Sequence, residues 1–368
     1  MRLIISGGGT GGHIYPALAI ADEFMKQNPS GEVLYVGKEG GLEQELVKEA
    51  GYDFAPIHIQ GLPRKVLNKK TIMSFYALLK GLRECEKIIK DFKPDIVVGT
   101  GGYVCAPILL KAQQKGIPTL IQEQNAYPGK TNRFLAKKAK AVALSFEEAK
   151  KFLPDSDNII LTGNPVREEI FNSEENKAHD EEPYHVLSFG GSGGQESTNQ
   201  AILDIIKYQT FDFQLTHITG KVHYDKFMEE LKDIPWPDQL TILPYSHEIP
   251  YLLSRTDLVI ASSSAMTLAE ISGKGLPSIL IPKSYTAGNH QVYNARSYED
   301  KKAAIVIYEE DLNGQILLEK VNDLLNDFER REKMGMASQE LANPKAVELI
   351  VTAMMNMASH GGKNSETT

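Results

Sequence analysis

The tract Gly7-Gly8-Gly9-Thr10-Gly11-Gly12-His13 holds two kinds of chemistry in seven residues. Glycines adopt backbone conformations closed to other residues and let amide N–H groups approach a ligand. A helix starting behind them adds partial positive charge for a phosphate or a developing oxyanion. His13 can accept a proton near neutral pH, which makes it a candidate general base; the competing reading is a helix-start histidine that bonds only its neighbours. Gly7, Gly9 and Gly12 spell G-x-G-x-x-G, but the second strand ends in Val36-Gly37-Lys38 with no acid to grip a ribose. A nicotinamide oxidoreductase therefore ranks last, and no Lys-Ser or Lys-Thr closes the loop as a P-loop requires. A second glycine loop, Gly190-Gly191-Ser192-Gly193-Gly194, follows the first strand of a later series and holds the hydroxyl of Ser192. Glu123 and Asn125 directly follow an apolar run, at the carboxyl end of a strand where function gathers.

These residues need a frame, and the apolar pattern supplies one. Arg2–Ser6, Glu32–Val36, Asp95–Gly99, Pro118–Gln122 and Ala141–Leu144 read as buried parallel strands, each followed by a helical pattern, the first helix running from Tyr15 to Gln27. A polar, acidic stretch from Asn172 to Pro183 interrupts the series. It reopens at His185–Phe189 and continues through Gln214–Ile218, Thr241–Leu243, Asp257–Ala261, Ser278–Ile281 and Ala304–Ile307. The expected architecture is α/β, with two doubly wound domains, residues 1–164 and residues 165–342, facing across a cleft. Residues 343–360 form a helix packing back toward the first domain, and residues 361–368 read as a disordered tail.

A chain of 368 residues exceeds what one core usually serves. Apolar residues make up 42% and charged residues 24%, and no apolar run reaches the length of a membrane span. The apolar start is too short for a secretory signal, so a cytoplasmic location is expected. Cys85 and Cys105, without C-x-x-C spacing, read as reduced, half-buried thiols rather than a disulfide or metal site. Net charge is −8, but residues 1–165 carry +5 and the remainder −13. That asymmetry suggests an anionic partner for the first half, with ordinary surface variation as the alternative.

The tracts Gly8-Gly9-Thr10-Gly11-Gly12-His13, Thr100-Gly101-Gly102-Tyr103-Val104, Glu123-Gln124-Asn125, Gly163-Asn164-Pro165-Val166-Arg167 and Gly190-Gly191-Ser192, in this order, resemble the MurG family of peptidoglycan N-acetylglucosaminyltransferases. The likeness runs to about Arg296, and ordered motifs at matching separations are more specific than any single glycine loop. It implies a GT-B fold with two Rossmann-like domains and an inverting, metal-independent hexosyl transfer without a cofactor. The implied donor is UDP-N-acetylglucosamine (UDP-GlcNAc). The implied acceptor is undecaprenyl-pyrophosphoryl-MurNAc-pentapeptide (lipid I), giving lipid II for peptidoglycan synthesis. Further implied partners are an anionic membrane surface and proteins of cell-wall synthesis and division, with no nucleic acid; the implied place is the cytoplasmic face of the cell membrane, peripherally bound.

Such a transfer needs a base for the acceptor hydroxyl, positioning of the reactants, and stabilisation of the charge on departing UDP. The resemblance makes His13 the base, with Glu123 and Asn125 near the acceptor and with Thr10 and the amides of Gly11 and Gly12 facing a diphosphate. In the second half it brings Ser192 and Arg167 to the donor diphosphate, Glu270 to the ribose hydroxyls, and Tyr245 and Ser246 to the uracil. The amides of Ala265, Met266 and Thr267 meet the phosphates, and His290 with Gln291 the sugar. Two simpler roles stay open: Tyr245 as a cap on the core, and Arg167 paired with Glu168 or Glu169. The chain also departs from the family pattern twice. Gln122 stands where a histidine is common, which removes a proton role, and Ser262 stands where an arginine is common, which removes one positive charge beside the donor phosphates.

Arg64, Lys65, Lys69 and Lys70 precede Ile72, Met73, Phe75, Leu78 and Leu79, a mixture suited to an anionic bilayer surface. An amphipathic core helix with a solvated basic start is the competing reading, and the resemblance favours the membrane. Two other functions remain: a UDP-GlcNAc 2-epimerase, which shares the architecture, and a non-catalytic UDP-sugar-binding module, which would leave His13 and Glu123 without a task.

Overall fold

The computed structural model describes residues 1–61, 69–166, 168–172, 183–191 and 193–361. The chain forms two compact units: Met1–Val166 joined by the C-terminal segment from Lys345, and Arg167–Pro344.

The first unit runs β1 (Arg2–Gly7), α1 (Gly11–Gln27), β2 (Glu32–Lys38), α2 (Leu42–Glu49), β3 (Asp53–Ile57), α3 (Lys69–Phe92), β4 (Ile96–Gly101), α4 (Ala106–Gln114), β5 (Thr119–Glu123), α5 (Lys130–Ala136), β6 (Ala141–Leu144) and β7 (Ile159–Leu161). Its seven strands, all parallel, lie in the order β3-β2-β1-β4-β5-β6-β7. Strand side chains alternate between faces, so Leu3, Ile5, Ile96 and Val98 join one core cluster and Ile4, Val97, Ile121 and Val142 the other. Both faces are covered, which is why these strands read as unbroken apolar runs.

The second unit runs α6 (Glu169–Asn172), β8 (His185–Phe189), α7 (Glu196–Tyr208), β9 (Gln214–Ile218), α8 (Tyr224–Leu231), β10 (Leu240–Leu243), α9 (Ile249–Ser254), β11 (Leu258–Ala261), α10 (Ala265–Gly273), β12 (Ser278–Leu280), α11 (His290–Asp300), β13 (Ala304–Val306), α12 (Gly314–Leu325) and α13 (Phe328–Gln339). Its six parallel strands follow β10-β9-β8-β11-β12-β13, the same winding as the first unit without β7. In each sheet the order reverses beside the first strand, between β1 and β4 and between β8 and β11. Ligands of doubly wound sheets bind at this switch point, beyond the carboxyl ends of the strands, and both glycine loops sit there.

The last helix, α14 (Ala346–Gly361), buries Ile350, Val351 and Met354 in the same cluster as Phe24 and Leu18 of α1, so the C-terminus belongs to the first unit's core. The tail expected over 361–368 begins inside this helix at Gly361, and residues 362–368 lie outside the described residues. Helix α1 starts at Gly11, earlier than the Tyr15 expected. Glycine is a poor helix interior residue, but in the first turn an N–H needs no helical carbonyl. Thr10 opens the turn in extended conformation, its carbonyl accepting from His13 N (3.1 Å) and Ile14 N (3.3 Å). Strands β3 and β7 escaped the sequence reading because both are edges, β3 carrying Pro56 and β7 only three residues long. Cys85 and Cys105 are free, but fully rather than half buried, and burial pushes both thiols up to about 12, out of the thiolate range.

Candidate active site

In the first unit, the ends of β1, β4 and β5 converge on His13. Its Nδ1 lies 3.1 Å from the Thr100 carbonyl oxygen and 3.1 Å from Gln124 Oε1. A carbonyl can only accept, so Nδ1 carries the hydrogen and the basic lone pair falls on Nε2. The Thr100 hydroxyl donates to the His13 carbonyl at 2.6 Å, fixing backbone and ring from one residue. Gln124 Nε2 donates to the Thr100 carbonyl (2.5 Å) and to Gln122 Oε1, and Gln122 Nε2 donates to Ser145 Oγ (3.2 Å). Gly101 makes room for the ring: at φ 114° its missing Cβ would lie 2.8 Å from His13 Nδ1. Sequence reasoning quoted Thr100 and Gln124 within motifs but gave them no task. The signal for Gln124 was its two-residue spacing from Gln122, which places both on one side of the strand end.

Glu123 is only 1% exposed, and four donors occupy its carboxylate. Oε1 accepts from Asn125 N (3.0 Å) and Nδ2 (3.1 Å), and Oε2 from Gly129 N (2.9 Å) and Asn132 Nδ2 (2.9 Å). It therefore organises the β5–α5 loop and orients Asn125 beside Gln124. Beneath the first glycine loop lies the buried Glu43, accepting from Lys38 N (2.9 Å) and Gly9 N (3.4 Å), which turns the Gly9 amide away from any ligand. Thr10 makes no side-chain cap, and no acid stands in the first turn of α1. The Gly11 and Gly12 amides are thus first-turn donors in a favourable field for an anion.

In the second unit, the loop after β8 closes through Gly194 N donating to Gly191 O at 3.0 Å. Its tight seat against the end of β9 requires glycine at 194: at φ 71° a Cβ would stand 2.1 Å from the Thr219 carbonyl oxygen. Ser264 caps α10, accepting from Thr267 N at 3.3 Å, and no acid stands in that helix's first turn, which begins at Ala265 and Met266. Glu270 follows on the same helix. Tyr245 and Ser246 come just after β10; Lys221 Nζ sits 4.9 Å from the Tyr245 ring centroid, and the Ser246 hydroxyl accepts from Glu248 N (3.0 Å). His290 opens α11 behind the left-handed Asn289. Gln291 is buried, its Oε1 accepting from Lys283 N (3.0 Å) and its carbonyl from Ser263 Oγ (2.8 Å).

Two residues that sequence reasoning passed over complete this end of the sheet. Glu309 Oε1 accepts from Ser197 Oγ (2.6 Å) and Gln195 Nε2 (2.9 Å), and its Oε2 from Ser284 N (2.8 Å) and Oγ (2.6 Å). Burial works to raise the Glu309 pKa, but these hydrogen bonds hold it below the usual carboxylate value, so it stays ionised. Lys283 Nζ donates to the Gly194 carbonyl at 2.7 Å.

Arg167, Ser192, Arg64 and Lys65 lie outside the described residues, as do the side chains of Lys69, Lys70, Ile72 and Phe75, whose backbones belong to α3. Further along α3, Met73, Tyr76 and Leu79 are 60%, 70% and 43% exposed. Among the described residues, no helix is long and apolar enough to cross a membrane, and no cluster of three His, Cys, Asp or Glu could hold a metal ion.

Two doubly wound units in tandem, each with a glycine loop and a helix N-terminus at its switch point, define a sugar-nucleotide enzyme of the GT-B class. Residues 3–144 match the glycosyltransferase family 28 N-terminal domain and residues 185–350 the family 28 C-terminal domain; the chain belongs to glycosyltransferase family 28. It is 43% identical over 363 residues to the UDP-N-acetylglucosamine--N-acetylmuramyl-(pentapeptide) pyrophosphoryl-undecaprenol N-acetylglucosamine transferase of Caldanaerobacter subterraneus subsp. tengcongensis, covering 96% of this chain and 100% of that one. Among solved structures it is similar to Acinetobacter baumannii MurG, with TM-score 0.78, 27% identity, and coverage of 96% and 99%. A UDP-GlcNAc 2-epimerase from Neisseria meningitidis shares the fold, at TM-score 0.67 and 15% identity over 97% and 100% of the two chains.

Proposed function

We infer that this chain transfers N-acetylglucosamine from UDP-GlcNAc to lipid I, with inversion at the anomeric carbon and without a metal ion, giving lipid II. The observation that carries this reading is the pinned ring of His13, with Nδ1–H directed at the Thr100 carbonyl and Nε2 left as the basic nitrogen. Nε2 takes the proton of the acceptor hydroxyl as its oxygen attacks the anomeric carbon, and UDP leaves with the bonding pair. Asn125, oriented by Glu123, bonds the acceptor, while Thr10 and the amides of Gly11 and Gly12 meet its diphosphate. In the second unit the α10 N-terminus faces the charge growing on UDP, Glu270 takes the ribose hydroxyls, Tyr245 and Ser246 the uracil, and His290 with Gln291 the sugar. Arg167 and Ser192 join the donor diphosphate in this reading.

A polyprenyl acceptor must be met at a bilayer, and the exposed Met73, Tyr76 and Leu79 on the basic-flanked α3 support peripheral attachment to the cytoplasmic face, with each nearby lysine or arginine adding about 1 kcal/mol on an anionic surface. The test is UDP release from UDP-GlcNAc. It should depend on a lipid I analogue and fall roughly 10²–10⁴-fold in His13→Ala. Equal release without acceptor, or an unaffected variant, overturns the reading, and a protein that binds UDP yet never consumes UDP-GlcNAc supports the binding-module alternative.

A further inference from the structure

We propose that Lys283, together with the hydroxyl of Ser262, grips the diphosphate of the sugar-nucleotide donor at the 191–194 turn. The proposal rests on the donor reading of the second unit and adds to it a cation that no motif indicates. Lys283 follows β12 on a segment held in three places. Its backbone N–H donates to Gln291 Oε1 (3.0 Å), its Nζ to the Gly194 carbonyl (2.7 Å), and its neighbour Ser284 is clamped by Glu309 through N (2.8 Å) and Oγ (2.6 Å). A surface lysine samples many rotamers; this one has its stem and head fixed, so little further entropy is lost when an anion arrives. An ammonium has three N–H bonds, and the bond to Gly194 uses one. Burial pulls the Lys283 pKa below the usual lysine value while Glu309 opposes the fall, so its charge is desolvated and incompletely compensated. A bound anion supplies that compensation.

Ser262 provides the second, independent observation. It is 0% exposed, and its Oγ has no hydrogen-bond partner among the described residues. The same oxygen lies 3.6 Å from the place that a Cβ on Gly191 would occupy, directly beside the glycine turn. Most buried hydroxyls are bonded, and an orphan beside a glycine loop is one that a ligand oxygen can satisfy. Gly194 N donates to Gly191 O at 3.0 Å, closing a turn whose first residue abuts Ser262 and whose last holds Lys283. The two side chains thus address opposite ends of one four-residue turn, next to a helix N-terminus without an acid in its first turn. The positive charge absent from the Ala261–Ala265 tract is supplied from the segment after β12 instead.

Titration calorimetry on the full-length protein, with UDP and separately with uridine, tests this. Lys283→Met should weaken UDP binding about tenfold or more, the loss of one charge-assisted hydrogen bond, and leave uridine binding unchanged. Lys283→Arg should keep most of the UDP affinity. Ser262→Ala should weaken UDP severalfold while its thermal unfolding temperature stays level or rises, because the hydroxyl has no partner among the described residues. Undiminished UDP affinity in Lys283→Met, or equal losses for UDP and uridine, overturns the assignment. Wild-type protein that binds neither UDP nor uridine would overturn the donor reading itself, and this contact with it.

Discussion

His217 joins the strand that leads into the donor loop to the helix that leaves it. It is fully buried in β9, with Nδ1 3.0 Å from Ser188 Oγ and Nε2 3.1 Å from Asn199 Oδ1. Burial lowers its pKa from 6.5 to about 3, so the folded ring stays neutral through mild acid. The unfolded chain, by contrast, takes up a proton there below pH 6.5, and acid therefore favours unfolding. The contribution of this group is whole above pH 6.5 and is lost as pH falls toward 3. Those two values imply a loss of about 2 kcal/mol between pH 8 and pH 5, and roughly 4 kcal/mol by pH 3. The single tryptophan, Trp236, lies in the same unit and reports its unfolding. Urea titrations followed by Trp236 fluorescence at pH 8 and pH 5 should show a drop in stability about 2 kcal/mol larger in wild type than in His217→Gln, which keeps an amide donor and acceptor but cannot titrate. The His217→Gln variant loses some stability at both pH values, so only the difference in pH response counts. Equal drops in the two proteins would refute the reasoning.

Three other outcomes follow from the geometry. Gly101→Ala places a Cβ 2.8 Å from His13 Nδ1 on a left-handed backbone, so acceptor-dependent UDP release should fall on the order of ten- to a hundredfold while calorimetric UDP binding is unchanged. Glu123→Gln sets an amide donor against the Gly129 or Asn132 donors, and should cost about 2 kcal/mol of stability, seen as a fall of several degrees in thermal unfolding. Tyr76→Glu combined with Leu79→Glu, at exposed positions of α3, should leave thermal unfolding unchanged but abolish co-flotation with anionic vesicles.

The sequence was most legible where buried strands read as apolar runs. His185–Phe189 and Gln214–Ile218 match the structure end for end, because each is covered on both faces and bounded by polar or glycine residues. It was least legible where the signal lies in tertiary neighbours. The carbonyl of Thr100 fixes the tautomer of His13 across 87 positions of chain, and a backbone oxygen leaves no mark in composition. The sequence places Glu123 at a strand end where function gathers; its four donors appear only when the β5–α5 loop is folded over it. Lys283 and Glu309 sit on segments that follow β12 and β13, remote in sequence from the loop they secure, and neither belongs to a recognisable motif.

Catalysis as described requires that His13 carry its hydrogen on Nδ1 toward the Thr100 carbonyl, leaving Nε2 to take the acceptor proton. Nitrogen-15 NMR of histidine-labelled protein, with the His13 signals identified by their loss in His13→Gln, reads that tautomer directly. The prediction is a ring whose neutral form carries its hydrogen on Nδ1. A His13 ring protonated at Nε2 in the wild-type protein would contradict the claim.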